Sequence, residues 1–261
     1  MRAKQIPRRT QLLIAAVAAF SVAPLATLAQ TTSATYKGQT VRIGKGSAHT
    51  VVRTDTSGKP VAIGVVFTES ALEGLPSPPK GGGPDVPFHL PMPKDGPRTT
   101  VDHVVINWEP TGHPPPKVYD VPHFDFHFYL IGRKNQEQVR FKSEAESGDP
   151  SQQPPAELMA AGYVIPPGTA VPKMGVHAIN QAAPEFHGQP FTATFIYGYH
   201  DKQLTFLEPM ATLEFLKSKP TFSAPVARPG KYLKAGVYPS TYSVKYEPAS
   251  KSYEVSLEGL Q

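Results

Sequence analysis

The chain has 261 residues and a formal net charge of +5, but its basic residues are unevenly placed. The first 29 residues hold four of the 26 Lys and Arg and none of the 21 Asp and Glu, so the remainder carries only +1. Nucleic-acid binding needs a basic patch, and so small a charge gives that function no electrostatic basis. Because the chain has no cysteine, disulfide-stabilised scaffolds are excluded as well.

Residues 1–29 have the composition of a secretory signal peptide. Basic residues up to Arg9 precede an apolar run over 12–26, and small residues stand at the −3 and −1 positions in Thr27-Leu28-Ala29. The apolar run is shorter than the roughly 20 residues that span a bilayer. We therefore predict cleavage after Ala29, export to the periplasm or the exterior of a bacterial cell, and no membrane span in the mature chain.

Residues 30–261 are predicted to form a single β-rich domain. Thirty prolines, 18% charged residues and many Val, Tyr and Phe favour short strands joined by rigid loops. The expected fold class is all-β, a sandwich or barrel-like domain with one or two short helices and long Pro-rich loops.

The alternation of apolar and polar residues predicts the elements in chain order. Strands are expected at 40–44, 49–54, 61–68, 101–108 and 123–131, with 136–144 as the hairpin partner of 123–131. A short helix at 155–161, a hairpin of 191–199 with 203–208, a helix at 210–217 and a C-terminal hairpin of 241–246 with 252–257 complete the prediction.

The segment 75–97 interrupts this pattern. It holds eight prolines and three consecutive glycines at 81–83, which exclude a helix or a central strand. It is longer than ordinary connections, which makes it either a functional lid or a solvated loop, and we favour the loop.

The segment His123–Tyr129 (HFDFHFY) is the strongest functional signal. Alternate residues of a strand face opposite sides, so its three phenylalanines share one buried face. The other face then carries His123, Asp125 and His127 together. Imidazoles and a carboxylate on one face favour a metal site for zinc or a similar divalent ion.

One strand supplies two ligands to such an ion, and others must come from elsewhere. Residues two apart on a strand are separated by roughly 6.6 Å, and residues four apart by about 13 Å. We expect His177, beside Gly175, to supply the third ligand. Glu185 or Glu208 is expected as a fourth ligand or as a general base toward metal-bound water, and His113 is expected to lie nearby.

The competing interpretation is a structural polar network, in which Asp125 accepts hydrogen bonds from the imidazoles. Histidines on strands are more often hydrogen-bonded structural residues than ligands. We interpret the following as structural: His49, His89, His103, His187 and His200.

The chain also resembles a family of exported bacterial proteins that carry a domain of unknown function. The resemblance covers residues 38–258 and is carried by these residues: Trp108, Pro110, Gly112-His113-Pro114, Tyr119, Pro122-His123-Phe124-Asp125-Phe126-His127-Phe128-Tyr129, Met174-Gly175 with His177, Pro184-Glu185-Phe186, Phe195-Ile196-Tyr197-Gly198, Phe206 and Glu208-Pro209-Met210. Members often have an acid where this chain has Asn180, which argues against that position as a ligand. The resemblance implies an exported, compact β domain and supplies no reaction.

Two functions remain open. The first is a metal site that activates water for a hydrolase- or lyase-type reaction. The second is a non-catalytic exported module that binds a small molecule or protein, or assembles as a homo-oligomer, with the histidines as a buried network. The sequence has no G-x-S-x-G motif for a serine hydrolase and no phosphate-binding glycine loop.

Overall fold

The computed structural model describes residues 32–77 and 86–261 of the chain. The predicted signal peptide and the central part of the Pro/Gly-rich segment, 78–85, lie outside the described residues. The strands are β1 (Thr35–Lys37), β2 (Val41–Ile43), β3 (Gly46–Thr54), β4 (Pro60–Thr68), β5 (Val86–Pro91), β6 (His103–Glu109), β7 (His123–Tyr129), β8 (Tyr163–Val164), β9 (Ala170–Val171), β10 (Gly175–Asn180), β11 (Ala193–His200), β12 (Gln203–Thr212), β13 (Thr221–Pro225), β14 (Thr241–Glu247) and β15 (Ser252–Glu258). The α-helices are α1 (Arg133–Gln136) and α2 (Leu213–Lys217), and 3₁₀ turns lie at Glu69–Leu72, Glu144–Gly148, Ala156–Leu158 and Pro184–His187.

The strands form two antiparallel sheets, which confirms the predicted all-β class. One sheet has the order β1-β3-β4-β15-β14-β13, with β2 beside β3. The other has the order β5-β6-β7-β12-β11-β10-β8, with β9 beside β10. Neither sheet closes on itself within the described residues, so the fold is sandwich-like rather than a barrel.

The core lies between the two sheets and explains the aromatic face of β7. The ring of Phe126 on β7 stacks on Phe67 of β4 at 5.8 Å between centroids. Farther along, Phe195 of β11 meets Tyr242 of β14 at 5.3 Å. Burying one such side chain stabilises the fold by about 1.5–3 kcal/mol. These inter-sheet contacts fix which face of β7 points inward and leave its polar residues on the outer face.

The predicted strand at 136–144 is wrong. Both edges of β7 are already occupied, since it pairs with β6 on one side and β12 on the other. The chain after β7 instead forms α1 and irregular segments. The buried side chain of Gln136 bonds the Nε2 atom of His103 at 2.9 Å, which holds this stretch against the sheet.

Both predicted helices are shorter than expected. Only Ala156–Leu158 of the first forms a 3₁₀ turn. The second begins at Leu213 because β12 continues through Thr212, where its pairing with β7 ends. The Oγ1 atom of Thr212 then accepts a hydrogen bond from the backbone N–H of Phe215 at 3.1 Å and caps α2.

The Pro-rich segment also contains a strand that the prediction missed. β5 carries Pro87 and Pro91 but lies at the end of its sheet and pairs only with β6. An edge strand tolerates proline because one of its sides makes no ladder hydrogen bonds. Within residues 32–77 and 86–261, no helix has the length and apolar character needed to cross a membrane.

Gly198 on β11 offers a direct test of this packing. A Cβ atom there would lie 2.1 Å from the ring of Phe206, whose position leaves no room to retreat because Phe206 is fully buried. We expect Gly198→Ala to destabilise the fold by about 1–3 kcal/mol, measured by thermal and urea unfolding. Gly148→Ala is the control, since its Cβ would meet nothing within 4 Å. Equal stability of the two variants would contradict the packing described.

Candidate metal centre

The outer face of β7 carries the candidate site. His123, Asp125 and His127 are respectively 0%, 3% and 1% exposed, so this face is as buried as the core face. The loop over residues 110–122 and strand β10 contribute further polar side chains to it. A strand buried on both sides, with two imidazoles and a carboxylate on one of them, carries a large desolvation cost unless those groups are paired.

Six side chains gather there in two groups of three. The first, the loop triad, consists of His113, His123 and Asp125, and it takes its name from the loop that carries His113. The second, the sheet triad, consists of His127, His177 and Glu208, which stand on three strands. Within each triad, one ligand atom per residue lies within 4.8 Å of the others.

The sheet triad brings together residues from β7, β10 and β12. Nε2 of His127 lies 3.5 Å from Oε1 of Glu208, and Nε2 of His177 lies 4.0 Å from Oε2 of the same carboxylate. Glu208 falls opposite His127 because the register between β12 and β7 pairs Leu207 with Phe128 and Met210 with Asp125.

A glycine opens the path by which His177 reaches this group from β10. His177 pairs with Gly198 on β11, and Gly198 pairs with Phe206 on β12. Since Gly198 has no side chain, the Phe206 ring occupies the space above it and packs against His177, at 5.2 Å between centroids, and His127, at 4.7 Å. Phe206 thus supports both imidazoles of the sheet triad.

The loop triad is organised around Asp125. Nε2 of His123 lies 3.2 Å from Oδ1 of Asp125, and Nε2 of His113 lies 3.6 Å from Oδ2. The short distance to His123 lacks hydrogen-bond geometry, and within residues 32–77 and 86–261 neither of these two buried atoms has a hydrogen-bond partner. Proximity without a hydrogen bond distinguishes this group from a satisfied polar network.

Unpartnered buried atoms are concentrated on this face. Among the described residues, six of the eight such side-chain atoms belong to it: Asn107 Oδ1, His123 Nε2, Asp125 Oδ1, His127 Nδ1, His127 Nε2 and Glu208 Oε2. Folded proteins rarely leave buried polar groups unpaired, and each costs about 1–3 kcal/mol. One cation in each triad would bind four of these six atoms, two in each triad.

Burial also sets the protonation of the sheet triad. It lowers the pKa of His127 to about 3 and that of His177 to about 4, so both rings are neutral near pH 7. Neutral imidazole is the form that binds metals. Burial, with the nearby charges of Asp125 and Glu109, raises the pKa of Glu208 well above its ordinary value. A divalent cation would offset the cost of ionising that carboxyl group.

The loop triad has the opposite electrostatic character. Burial alone would raise the pKa of Asp125, but the charges of His123 and His113 outweigh it and hold that pKa well below its ordinary value. Burial would lower the pKa of His113, yet Asp125 raises it to about 9. Asp125 is therefore an anion that attracts positive charge to this part of the face.

Of the two glutamates predicted for the site, only one belongs to a triad. Glu208 lies inside the sheet triad, whereas the carboxylate of Glu185 accepts a hydrogen bond from the Tyr119 hydroxyl at 3.2 Å. Glu185 belongs to neither triad. His103, interpreted as structural, bonds Asp102 and Gln136 at 2.9 Å each and stacks on a tyrosine of β7.

Sequence reasoning missed Asn107, which faces the same site. It pairs with Asp125 across β6 and β7 and is 2% exposed, and its Oδ1 atom has no hydrogen-bond partner in the part of the chain that the structure describes. The sequence showed that residues 101–108 alternate as a strand. It did not show that this strand pairs with β7, which is what places Asn107 opposite Asp125. His177 was expected in a loop and instead stands on strand β10.

Comparison with known proteins gives one finding. A family model described as TTHB210-like, hypothetical protein TTHB210, matches residues 55–108. The matched segment begins just before β4 and ends within β6, before the first residue of either triad. The matching family is itself uncharacterised. Searches among curated proteins and among solved structures gave no match.

The hydrogen bond between Tyr119, whose ring contacts His113, and Glu185 can be tested by substitution. Tyr119→Phe leaves a buried carboxyl group without this partner, so we expect a loss of about 1–3 kcal/mol in the free energy of unfolding. Glu185→Gln keeps an oxygen that accepts the bond and is the matched control, with a smaller expected loss. Urea denaturation measures both. A Tyr119→Phe variant as stable as the unmodified protein would contradict the assigned bond.

Proposed function

We propose that this protein is an exported metal-binding protein that holds zinc or a similar divalent cation in the sheet triad. The observation that supports this most strongly is the convergence of His127, His177 and Glu208, in which buried atoms of His127 and Glu208 have no hydrogen-bond partner among the described residues. Two imidazoles and a carboxylate form a ligand set of the kind that zinc uses in catalytic sites.

The distances within the triad suit that ion. In a tetrahedral site with bonds of 2.0–2.1 Å, ligand atoms lie about 3.3 Å from one another. The separations of 3.5 and 4.0 Å run from the two histidines to different oxygens of Glu208. Since one ligand atom per residue lies within 4.8 Å of the others, binding needs a contraction of at most about 1.5 Å. Imidazole nitrogens that are already neutral bind without first losing a proton.

Three protein ligands leave one coordination position open, which is typical of catalytic rather than structural zinc. A cation held there by His127, His177 and Glu208 would lower the pKa of a bound water molecule and polarise a carbonyl or phosphoryl group. We therefore propose a hydrolase- or lyase-type reaction on a small molecule as the most direct use of the site. The side chain of His177 is 16% exposed and is the most accessible of the three ligands.

The alternative is a non-catalytic module in which the same residues form a structural network. Such a network would need its buried atoms to be hydrogen-bonded, because a partly satisfied network is less stable than an apolar core. The unpartnered atoms of His127 and Glu208 therefore favour the metal site.

Zinc content tests the proposal. We expect metal-free protein, purified without a tag and then dialysed against zinc, to retain one zinc per chain that depends on the sheet triad. His177→Ala and Glu208→Gln each remove a ligand and should lower bound zinc by about one per chain in elemental analysis. The exposed His187 provides the control, since His187→Ala removes an imidazole that belongs to neither triad. Unchanged zinc in both ligand variants would overturn the proposal.

Export is part of the same proposal and rests on the composition of residues 1–29. We expect the full chain, expressed in a bacterial host with a periplasm, to appear there with Gln30 as its first residue. N-terminal sequencing or intact mass measures the cleavage. Ala29→Lys places a large charged residue at the −1 position and should block processing, whereas an unprocessed cytoplasmic chain would contradict the prediction.

A further inference from the structure

We infer that the loop triad is a second, separate binding site for a divalent transition-metal cation of the zinc type. The inference stands on the geometry of His113, His123 and Asp125 and does not require the sheet triad to bind metal. Four features of the described residues support it in turn.

Backbone carbonyl groups fix the orientation of both imidazoles by accepting hydrogen bonds from their Nδ1 atoms. Nδ1 of His123 lies 2.6 Å from the carbonyl oxygen of Val121, and Nδ1 of His113 lies 2.7 Å from that of Pro114. A carbonyl only accepts, so each Nδ1 carries the hydrogen and each Nε2 presents a lone pair when the ring is neutral. Backbone carbonyls that hold the far nitrogen of a histidine are typical of metal ligands.

The three ligand atoms then face one another without a satisfactory partner. When both rings are neutral, the two Nε2 lone pairs face the Asp125 carboxylate, an arrangement of like partial charges that positive charge, either a proton on His113 or a bound metal cation, would relieve. Protons on both rings would place two positive charges on imidazoles whose centroids are 4.8 Å apart. One divalent cation satisfies all three residues, including the buried and unpartnered Nε2 of His123 and Oδ1 of Asp125.

The loop holds His113 in a defined place. Gly112 adopts a φ of +70°, and a Cβ atom there would lie 2.0 Å from the carbonyl oxygen of Tyr119. The same oxygen accepts a hydrogen bond from the backbone N–H of His113 at 3.1 Å. The loop is therefore closed on itself directly before this ligand, as a prepared site requires.

A fourth candidate ligand atom, an amide oxygen, belongs to the residue opposite Asp125. Asn107 pairs with Asp125 across β6 and β7, and side chains directly opposite on one face have Cβ atoms about 4.5–5.5 Å apart. Its buried Oδ1 atom has no hydrogen-bond partner among the described residues. An amide oxygen is a suitable ligand for divalent ions with mixed nitrogen and oxygen coordination.

The two triads act as separate sites rather than as one two-metal centre. The triads share no residue, since Asp125 belongs to one and His127 to the other, whereas the ions of a two-metal centre lie about 3.5–4 Å apart and share a bridging ligand. The side chain of His113 is 33% exposed, twice the value for His177. A cation at the loop triad should therefore exchange with solvent faster than one at the sheet triad.

Counting zinc per chain in matched variants tests the inference. Metal-free protein is dialysed against buffered zinc, and bound zinc is measured by elemental analysis, with circular dichroism to verify folding. We expect two zinc ions per chain in the unmodified protein and one in His113→Ala. His113→Gln, which keeps a polar side chain in the loop, should also retain one. Asp120→Asn changes an exposed charge on the same loop and should retain two.

The outcomes separate this inference from the proposed function. If His177→Ala lowers the zinc count and both His113 variants leave it unchanged, the loop triad is overturned as a site and the sheet triad is supported. Loss of zinc in the His113 variants but not in His177→Ala would support the loop triad and contradict the sheet triad. Loss in each, with none bound by the double variant His113→Ala/His177→Ala, is the expected result. Two zinc ions retained in that double variant would overturn both.

Discussion

The desolvation of β7 on both faces is the constraint on which the rest of the structure depends. Its phenylalanine face packs into the core between the sheets, so its polar face has to point outward. That outer face is nevertheless buried, which places Asp125 and, from β12, Glu208 away from water. Moving a carboxylate into such surroundings costs several kcal/mol unless positive charge compensates it. The imidazoles, together with the cations that we propose, provide this compensation.

Several features elsewhere in the fold follow from that constraint. Gly198 leaves room for Phe206, which supports the two imidazoles of the sheet triad. Backbone carbonyls of Val121 and Thr169 hold the far nitrogens of His123 and His177. Because these carbonyls bond the Nδ1 atoms, the Nε2 atoms are left to face the carboxylates of Asp125 and Glu208. The scaffold thus orients ligands as well as burying them.

Part of this arrangement could be predicted from the sequence and part could not. The alternation of His123–Tyr129 predicts which residues share a face, because a period of two is a local property of a strand. The C-terminal hairpin was likewise predictable and is confirmed as β14 and β15. By contrast, the pairing of β7 with β6 and β12 depends on contacts between distant segments, which is why the predicted partner at 136–144 was wrong.

The local sequence pattern could not predict how the ligands are grouped either, because the grouping depends on contacts between distant segments. Sequence spacing suggested that two of the three residues His123, Asp125 and His127 would share one ion with His177. In the fold, His123 and Asp125 are grouped with His113 of the loop, and His127 with two other strands. The division arises because neighbouring positions on one face of β7 meet different elements above the sheet. Only the three-dimensional register of β10, β11 and β12 reveals this.

The central claim is that cations occupy the outer face of β7, and anomalous diffraction tests it most directly. Crystals grown from zinc-loaded protein would be measured on both sides of the zinc absorption edge. We expect two anomalous peaks, each about 2.0–2.1 Å from imidazole nitrogens of one triad. The absence of any peak at this face, or peaks only at surface histidines such as His187, would contradict it.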